Sequence, residues 1–182
     1  MGKKEERKEI KEKLDRLASS ERLSESEKIS ESLLEMDEVR DAEVIMTFYP
    51  LKDEPDIREF NRKLKIMGKR VVFPVMNSDS TITPVEGKVW KFTKKEFSVM
   101  EPDGMNPEVK PSDIDLVLVP LVGFDGELNR LGHGKGFYDR FLEGYNGITI
   151  GISYSVQKLE KITVSEYDRK LSKIITGKEI YC

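Results

Sequence analysis

The chain has 182 residues, one domain's worth, and surface scaling lets a chain of this size bury about 70% of its unfolded surface. That is enough for a core without disulfide or metal staples. Its 31 basic and 34 acidic residues give a net charge of −3 and a pI near 5.5. This balance excludes a polybasic nucleic-acid binder as the first reading, because phosphate neutralisation needs a clustered basic excess.

Residues 3 to 18 read as a helix with a thin apolar stripe, Ile10, Leu14 and Leu17, spaced by four and three. Ser24 with Glu27 has the spacing of a capping box ahead of a second helix carrying Ile29, Leu33 and Leu34. Val44 to Tyr49 is a short β-rich run closed by Pro50, hence a buried strand. Ile57, Phe60 and Leu64 give the next helix a buried face, and Gly68 stands where a glycine should end it. Val71 begins another strand. From Thr81 to Phe92 the pattern alternates around Gly87, as in a hairpin or a pair of edge strands. Trp90 lies on that run and reads as core or rim.

Residues 98 to 112, rich in Pro and charge, read as a connecting loop. Ile114 to Val119 is the strongest strand pattern in the chain. A Gly-rich loop, a helix from about Gly136 to Glu143 and a strand from Ile148 to Ile152 follow, with a last strand at Ile174 to Thr176. Strands that are apolar throughout, alternating with helices, predict an α/β fold: three layers, with a mostly parallel sheet and helices on both faces. Residues 1–182 are expected to form one domain.

The single cysteine, Cys182, can build no internal disulfide framework. The charged start carries no apolar signal-peptide core, and the longest apolar stretch, Ile114 to Phe124, is too short to span a bilayer. A cytoplasmic protein, off the membrane, is expected.

In an open parallel sheet, ligands bind at the carboxyl ends of the strands. The loop after the strongest strand reads Arg130-Leu131-Gly132-His133-Gly134-Lys135-Gly136-Phe137-Tyr138-Asp139. Glycines at alternate positions let a ligand approach the backbone, and amides at a helix start suit an anion such as phosphate. Arg130 and Lys135 add formal positive charge, and Asp139 is a candidate Mg²⁺ ligand. Neither the P-loop ending Gly-Lys-Ser/Thr nor the dinucleotide glycine spacing is present. On spacing alone, a loop whose glycines merely start a helix explains the pattern equally well.

The run Arg-Leu-Gly-x-Gly-Lys-Gly-Phe-Tyr-Asp, preceded by Pro120 and Phe124-Asp125 at a strand end, resembles the signature of the 5-formyltetrahydrofolate cyclo-ligase family. The resemblance extends over most of the chain. It implies ATP-binding by Lys3, Lys4 and Arg7 in the first helix and by Arg130, Leu131, Gly132, His133, Gly134, Lys135, Gly136, Phe137 and Tyr138. It implies a folate-binding segment with Tyr49 and Glu54, completed by residues 133–137, and Mg²⁺ held by Asp139 and Asp168. The implied reaction is ATP-driven closure of 5-formyltetrahydrofolate to 5,10-methenyltetrahydrofolate, with Arg130 and Lys135 as the catalytic cations.

Three positions depart from the family's usual pattern: Leu128 where glycine is common, Phe97 where a larger aromatic is common, and Met100 before Glu101-Pro102. Small-molecule partners, ATP and a reduced formyl-folate, are therefore expected, in a monomer or small homo-oligomer. Two other readings stay open. One is a relative acting on a different formylated or pterin-like substrate. The other is a non-catalytic nucleotide- or RNA-binding protein using the first helix. Residue by residue, Lys3, Lys4 and Arg7 also fit a solvated helix face, since glutamates interleave with them. His133, the only histidine, sits at the variable position of the motif and reads as a phosphate contact before a general base. Asp125 reads as an Asx-turn residue, and Asp168 reads as a ligand-site residue before the cap of a short helix.

Overall fold

The computed structural model describes residues 2–88, 92–94, 100–102 and 106–182; the expectations for Trp90 and Phe97 fall outside them. The first three helices are α1 (Lys3–Arg16), α2 (Ser19–Glu35) and α3 (Asp37–Asp41). Next come β1 (Val44–Met46), α4 (Arg58–Ile66), β2 (Arg70–Met76), β3 (Ile82–Glu86), β4 (Phe92–Lys94) and β5 (Met100–Pro102). The remainder is β6 (Leu116–Pro120), β7 (Gly123–Phe124), β8 (Arg130–Leu131), α5 (Phe137–Glu143), β9 (Ile148–Ile152), β10 (Lys173–Ile175) and β11 (Ile180–Tyr181).

Seven strands make the main sheet, in the order β11-β10-β9-β6-β1-β2-β3. The five inner strands run parallel, and the two edges, β3 and β11, are antiparallel. Successive side chains on a strand point to opposite faces, and both faces here are apolar. Ile45, Val71, Phe73, Leu116, Leu118, Ile150 and Ile152 pack with Ile29 and Leu33 of α2, Val39 of α3, and Phe60 and Leu64 of α4. Their neighbours Val44, Met46, Val72, Val117 and Val119 pack on the other face with Tyr138 and Leu142 of α5. This is the expected three-layer α/β arrangement, and it explains why the inner strands read as continuous apolar runs.

Several local expectations change. Ser24 and Glu27 lie inside α2, not at its start; the helix begins five residues earlier, where Glu21 accepts the Ala18 amide at 3.1 Å. β1 stops at Met46, because α4 captures the chain beyond it. Asn61 there is buried, accepts the Thr47 hydroxyl at 2.8 Å and donates to the Phe48 carbonyl at 3.0 Å. The loop expected at 98–112 contains β5, which pairs with β4, and Glu108 bridges to Val85. Charge and proline masked this short pairing. Gly68 does end α4, with φ +80°. Among the described residues no helix is long and apolar enough to cross a membrane.

Candidate active site

Because the inner strands are parallel, their carboxyl ends share one edge, and a cleft of about 580 Å³ opens there. Phe48 and Tyr49 line it after β1, Pro74 and Met76 at the end of β2, and Pro120 at the end of β6. The volume suits a ligand of cofactor size.

The glycine loop is anchored by the β7–β8 hairpin beneath it. The Asp125 carboxylate accepts the amides of Glu127 and Asn129 and the Asn129 side chain, and it also reaches the Ile162 amide at 2.9 Å. Burial alone would raise its pKa, but these hydrogen bonds hold it below the ordinary carboxylate value. Asp125 is thus the expected Asx turn. Leu128, in this turn, takes a left-handed φ of +65°, a conformation costing about 1–2 kcal/mol with a side chain. Leu128 thus takes a backbone conformation that glycine adopts without strain.

Above the hairpin, Gly134 and Gly136 have φ of +95° and +70°. A Cβ on Gly134 would lie 3.2 Å from Arg7, and one on Gly136 would lie 3.0 Å from Arg140. The left-handed backbone favours glycine at both positions, and the two guanidinium groups packed on the loop would have to give way to a side chain there. Arg7 donates from Nε to the Gly132 carbonyl at 2.8 Å. The α1 helix is fixed by Ile10 and Leu14 in an apolar cluster with Leu131, Tyr154, Leu159 and Ile162. Buried Glu6 adds a hydrogen bond from the Thr163 amide at 2.9 Å. This docking turns Lys3 and Arg7, four residues apart on one helix face, into the cleft. Lys4 is the exception among the expected residues: it lies on the exposed side of α1 and does not line the cleft. One residue along a helix is a rotation of about 100°.

The charged groups in the cleft neutralise one another in part. Arg130 is 5% exposed and pairs with Asp139 at 2.5 Å. Lys3 pairs with Asp168 at 2.5 Å. Asp168 also accepts the Ser165 amide at 2.6 Å; these bonds outweigh burial and lower its pKa. Arg130 Nε and the Tyr138 hydroxyl are buried and, among the described residues, have no hydrogen-bond partner. The Arg130 guanidinium lies over the Tyr138 ring at 5.7 Å. Unsatisfied buried polar atoms are costly, and both residues line the cleft. His133 also lines the cleft, where the surrounding protein and then the charges of Arg130 and Arg7 lower its pKa. Leu131, Lys135 and Phe137 also line the cavity.

Glu54 lies in the same wall, 7% exposed, its Oε2 accepting the Leu51 amide at 2.8 Å. Burial pushes its pKa up to about 7 against that hydrogen bond, and nearby Asp53 adds to the rise. Tyr49 packs against Phe92 at 4.6 Å between ring centres, with Arg58 over its ring at 6.0 Å. The expected folate and nucleotide residues, apart from Lys4, therefore share one cavity. Sequence reading missed Pro74, Met76 and Tyr167, which also line it. The first two were recoverable from the rule about strand carboxyl ends; Tyr167, 70% exposed, carried no signal beyond its place next to Asp168.

Among the described residues no group of three or more His, Cys, Asp and Glu stands ready to hold a metal. Asp139 and Asp168 are the two aspartates that line the cleft, and Mg²⁺ usually takes one or two carboxylates together with phosphate oxygens and water.

The model of the 5-formyltetrahydrofolate cyclo-ligase family matches residues 1–177. The chain belongs to that family. It is 28% identical to the 5-formyltetrahydrofolate cyclo-ligase of Haemophilus influenzae over 158 residues, covering 79% of this chain and 81% of the relative. The Escherichia coli K12 cyclo-ligase is 29% identical over 147 residues, covering 77% and 81% of the two chains. The NMR structure of Aquifex aeolicus 5,10-methenyltetrahydrofolate synthetase superimposes with a TM-score of 0.87 at 30% identity, covering all of this chain and 92% of that one. A synthetase of the same name from Mycoplasma pneumoniae gives 0.80 at 30% identity, covering 97% and 99%. The two solved structures share the fold that, in this chain, sets Lys3, Arg7, Glu54 and the glycine loop around one cleft.

Proposed function

We propose that this chain is an ATP- and Mg²⁺-dependent enzyme that cyclises 5-formyltetrahydrofolate to 5,10-methenyltetrahydrofolate, releasing ADP and phosphate. The observation that carries the reading is the meeting, in one cleft, of the cations Lys3, Arg7, Arg130 and Lys135 with the glycine loop, Tyr49 and buried Glu54. All 182 residues work as one unit in this reading, in the cytoplasm, on small molecules alone.

Transfer of a phosphoryl group to the formyl oxygen needs positioning and charge stabilisation more than a protein nucleophile. Arg130 and Lys135 would hold the equatorial oxygens of the transferring group, and the glycine loop, free of side-chain bulk, would let the phosphates reach the backbone amides. Arg130 is suited to this by burial, since a guanidinium in a low-dielectric wall acts more strongly on a developing charge. Lys3 and Arg7 would hold the rest of the triphosphate. Asp139 and Asp168 would hold Mg²⁺, which when bound supplies further neutralisation of the phosphate oxygens. Tyr49 and Glu54 would line the pterin side. The neighbouring nitrogen then closes the ring and phosphate leaves.

The test is direct: protein, MgATP and 5-formyltetrahydrofolate are mixed, and the absorbance of the methenyl product is followed together with ADP. Both should appear in equal amounts. ADP formed with another formylated compound, and never with this one, would refute the substrate assignment.

A further inference from the structure

Ring closure has a requirement that the cations do not meet. The attacking nitrogen carries a hydrogen, and the proton must leave as the new N–C bond forms. Four acidic side chains line the cleft: Glu54, Asp139, Glu143 and Asp168. Asp139 is engaged by Arg130, Asp168 by Lys3, and Glu143 by Arg169 at 3.1 Å. A carboxylate fixed against a cation is a poor proton acceptor. Glu54 is the one of the four with no ion-pair partner among the described residues. Its Oε2 is held by the Leu51 amide, and its Oε1 takes no hydrogen bond from a described residue.

We propose that Glu54 is the general base of ring closure, accepting on Oε1 the proton of the attacking nitrogen; this rests on the function proposed above. As the N–C bond forms, the N–H bond breaks and its electron pair stays on nitrogen, while the proton makes the Glu54 carboxyl neutral. The C–O bond to phosphate then breaks, its pair leaving with the phosphate, and Glu54 returns the proton to solvent after product release.

The surroundings suit this work. A general base is most effective when its pKa lies near the working pH, and burial brings Glu54 to about 7. The groups that face it are few. Asp53 precedes it in the chain and is paired with Arg22 at 3.6 Å. The buried Tyr138 hydroxyl comes from α5, with Arg130 against its ring. The Tyr154 hydroxyl donates to the Glu54 main-chain carbonyl at 3.1 Å, which fixes the backbone without tying up the carboxylate.

The test compares wild type with Glu54→Gln at saturating MgATP and 5-formyltetrahydrofolate, by rapid quench for ADP and stopped flow for the methenyl product. The base acts after phosphoryl transfer. Glu54→Gln should therefore keep a first-turnover burst of ADP within about threefold of wild type, while methenyl formation slows by about 10²–10⁴-fold. The wild-type kcat should fall as pH drops through about 7, and that limb should vanish in Glu54→Gln. Glu54→Asp, which keeps a carboxylate, should be slower yet retain a limb, and it decides the matter if Glu54→Gln does not fold. A Glu54→Gln enzyme with unchanged kcat and a raised folate KM, or with ADP and methenyl slowed equally, overturns the base role and leaves Glu54 a binding residue. A wild-type protein that forms no methenyl product overturns the underlying function instead, and the base role with it.

Discussion

The burial of Glu54 has a thermodynamic consequence that can be measured without any substrate. Its pKa is about 7 in the folded chain against an ordinary 4.5, so the folded state holds this proton more tightly than the unfolded state. The contribution to stability is complete below pH 4.5 and is lost as pH rises through 7. Integrating the two titrations between pH 5 and pH 8 gives a loss of about 2.5 kcal/mol for wild type from this group alone. Glu54→Gln removes the titration but keeps the shape, and every other group titrates alike in both proteins. The difference in stability, mutant minus wild type, should therefore move in the mutant's favour by about 2–3 kcal/mol from pH 5 to pH 8. For a chain of this length that is roughly 5–10 °C in the difference between melting temperatures. Thermal or urea unfolding of both proteins at four or five pH values reads it. A difference that stays constant across the range would mean that Glu54 titrates as an exposed carboxylate, and the argument from burial would be wrong.

Two further outcomes are expected. MgATP at about one hundred times its dissociation constant should stabilise the chain by about 2.7 kcal/mol, or roughly 5–11 °C in melting temperature. Lys135→Ala should remove most of that rise while leaving the unliganded melting point nearly unchanged; a full MgATP shift in the variant would refute its role. Gly123→Ala would set a Cβ 2.1 Å from the buried Ile10 side chain, so it should cost about 1–3 kcal/mol of stability. Because the clash falls on α1, calorimetry should show ATP binding weakened more than folate binding; equal losses would argue against α1 as part of the nucleotide site.

The layers of this fold were legible because burial on both faces leaves a plain trace: runs such as Leu116 to Val119 admit few polar residues. The glycine loop was legible for a related reason, since backbone at φ +95° and +70° tolerates little else. What escaped was set either by local contacts that the sequence offers at several places or by contacts distant in sequence. The true start of α2 depends on a local carboxylate at Glu21, which many helices would offer at several positions. The brief strand β5 exists only through its pairing with β4. The choice of Lys3 over Lys4 depends on which way α1 rolls when Ile10 and Leu14 are buried. Glu54 was placed by resemblance, whereas its burial and the resulting hold on its proton became visible only when Leu51, Tyr138 and Tyr154 were seen around it.

The placement of α1 also bears on how a phosphate site can be made without a P-loop. The five cations that line the cleft, Lys3, Arg7, Arg130, Lys135 and Arg140, repel one another, and an empty site of that kind would destabilise the fold. Here Asp139 and Asp168 offset Arg130 and Lys3, so the cleft can be assembled before a ligand arrives. In the proposed function an incoming triphosphate brings its own negative charge and competes for the same two cations. The carboxylates it releases are the two assigned to Mg²⁺, which usually binds through carboxylates and phosphate oxygens together. In that proposal the same pair of acids would serve the empty cleft as counter-charge and the filled cleft as metal ligands. Glu54 is left out of that exchange because it has no ion-pair partner among the described residues, as the proton-acceptor role proposed above requires.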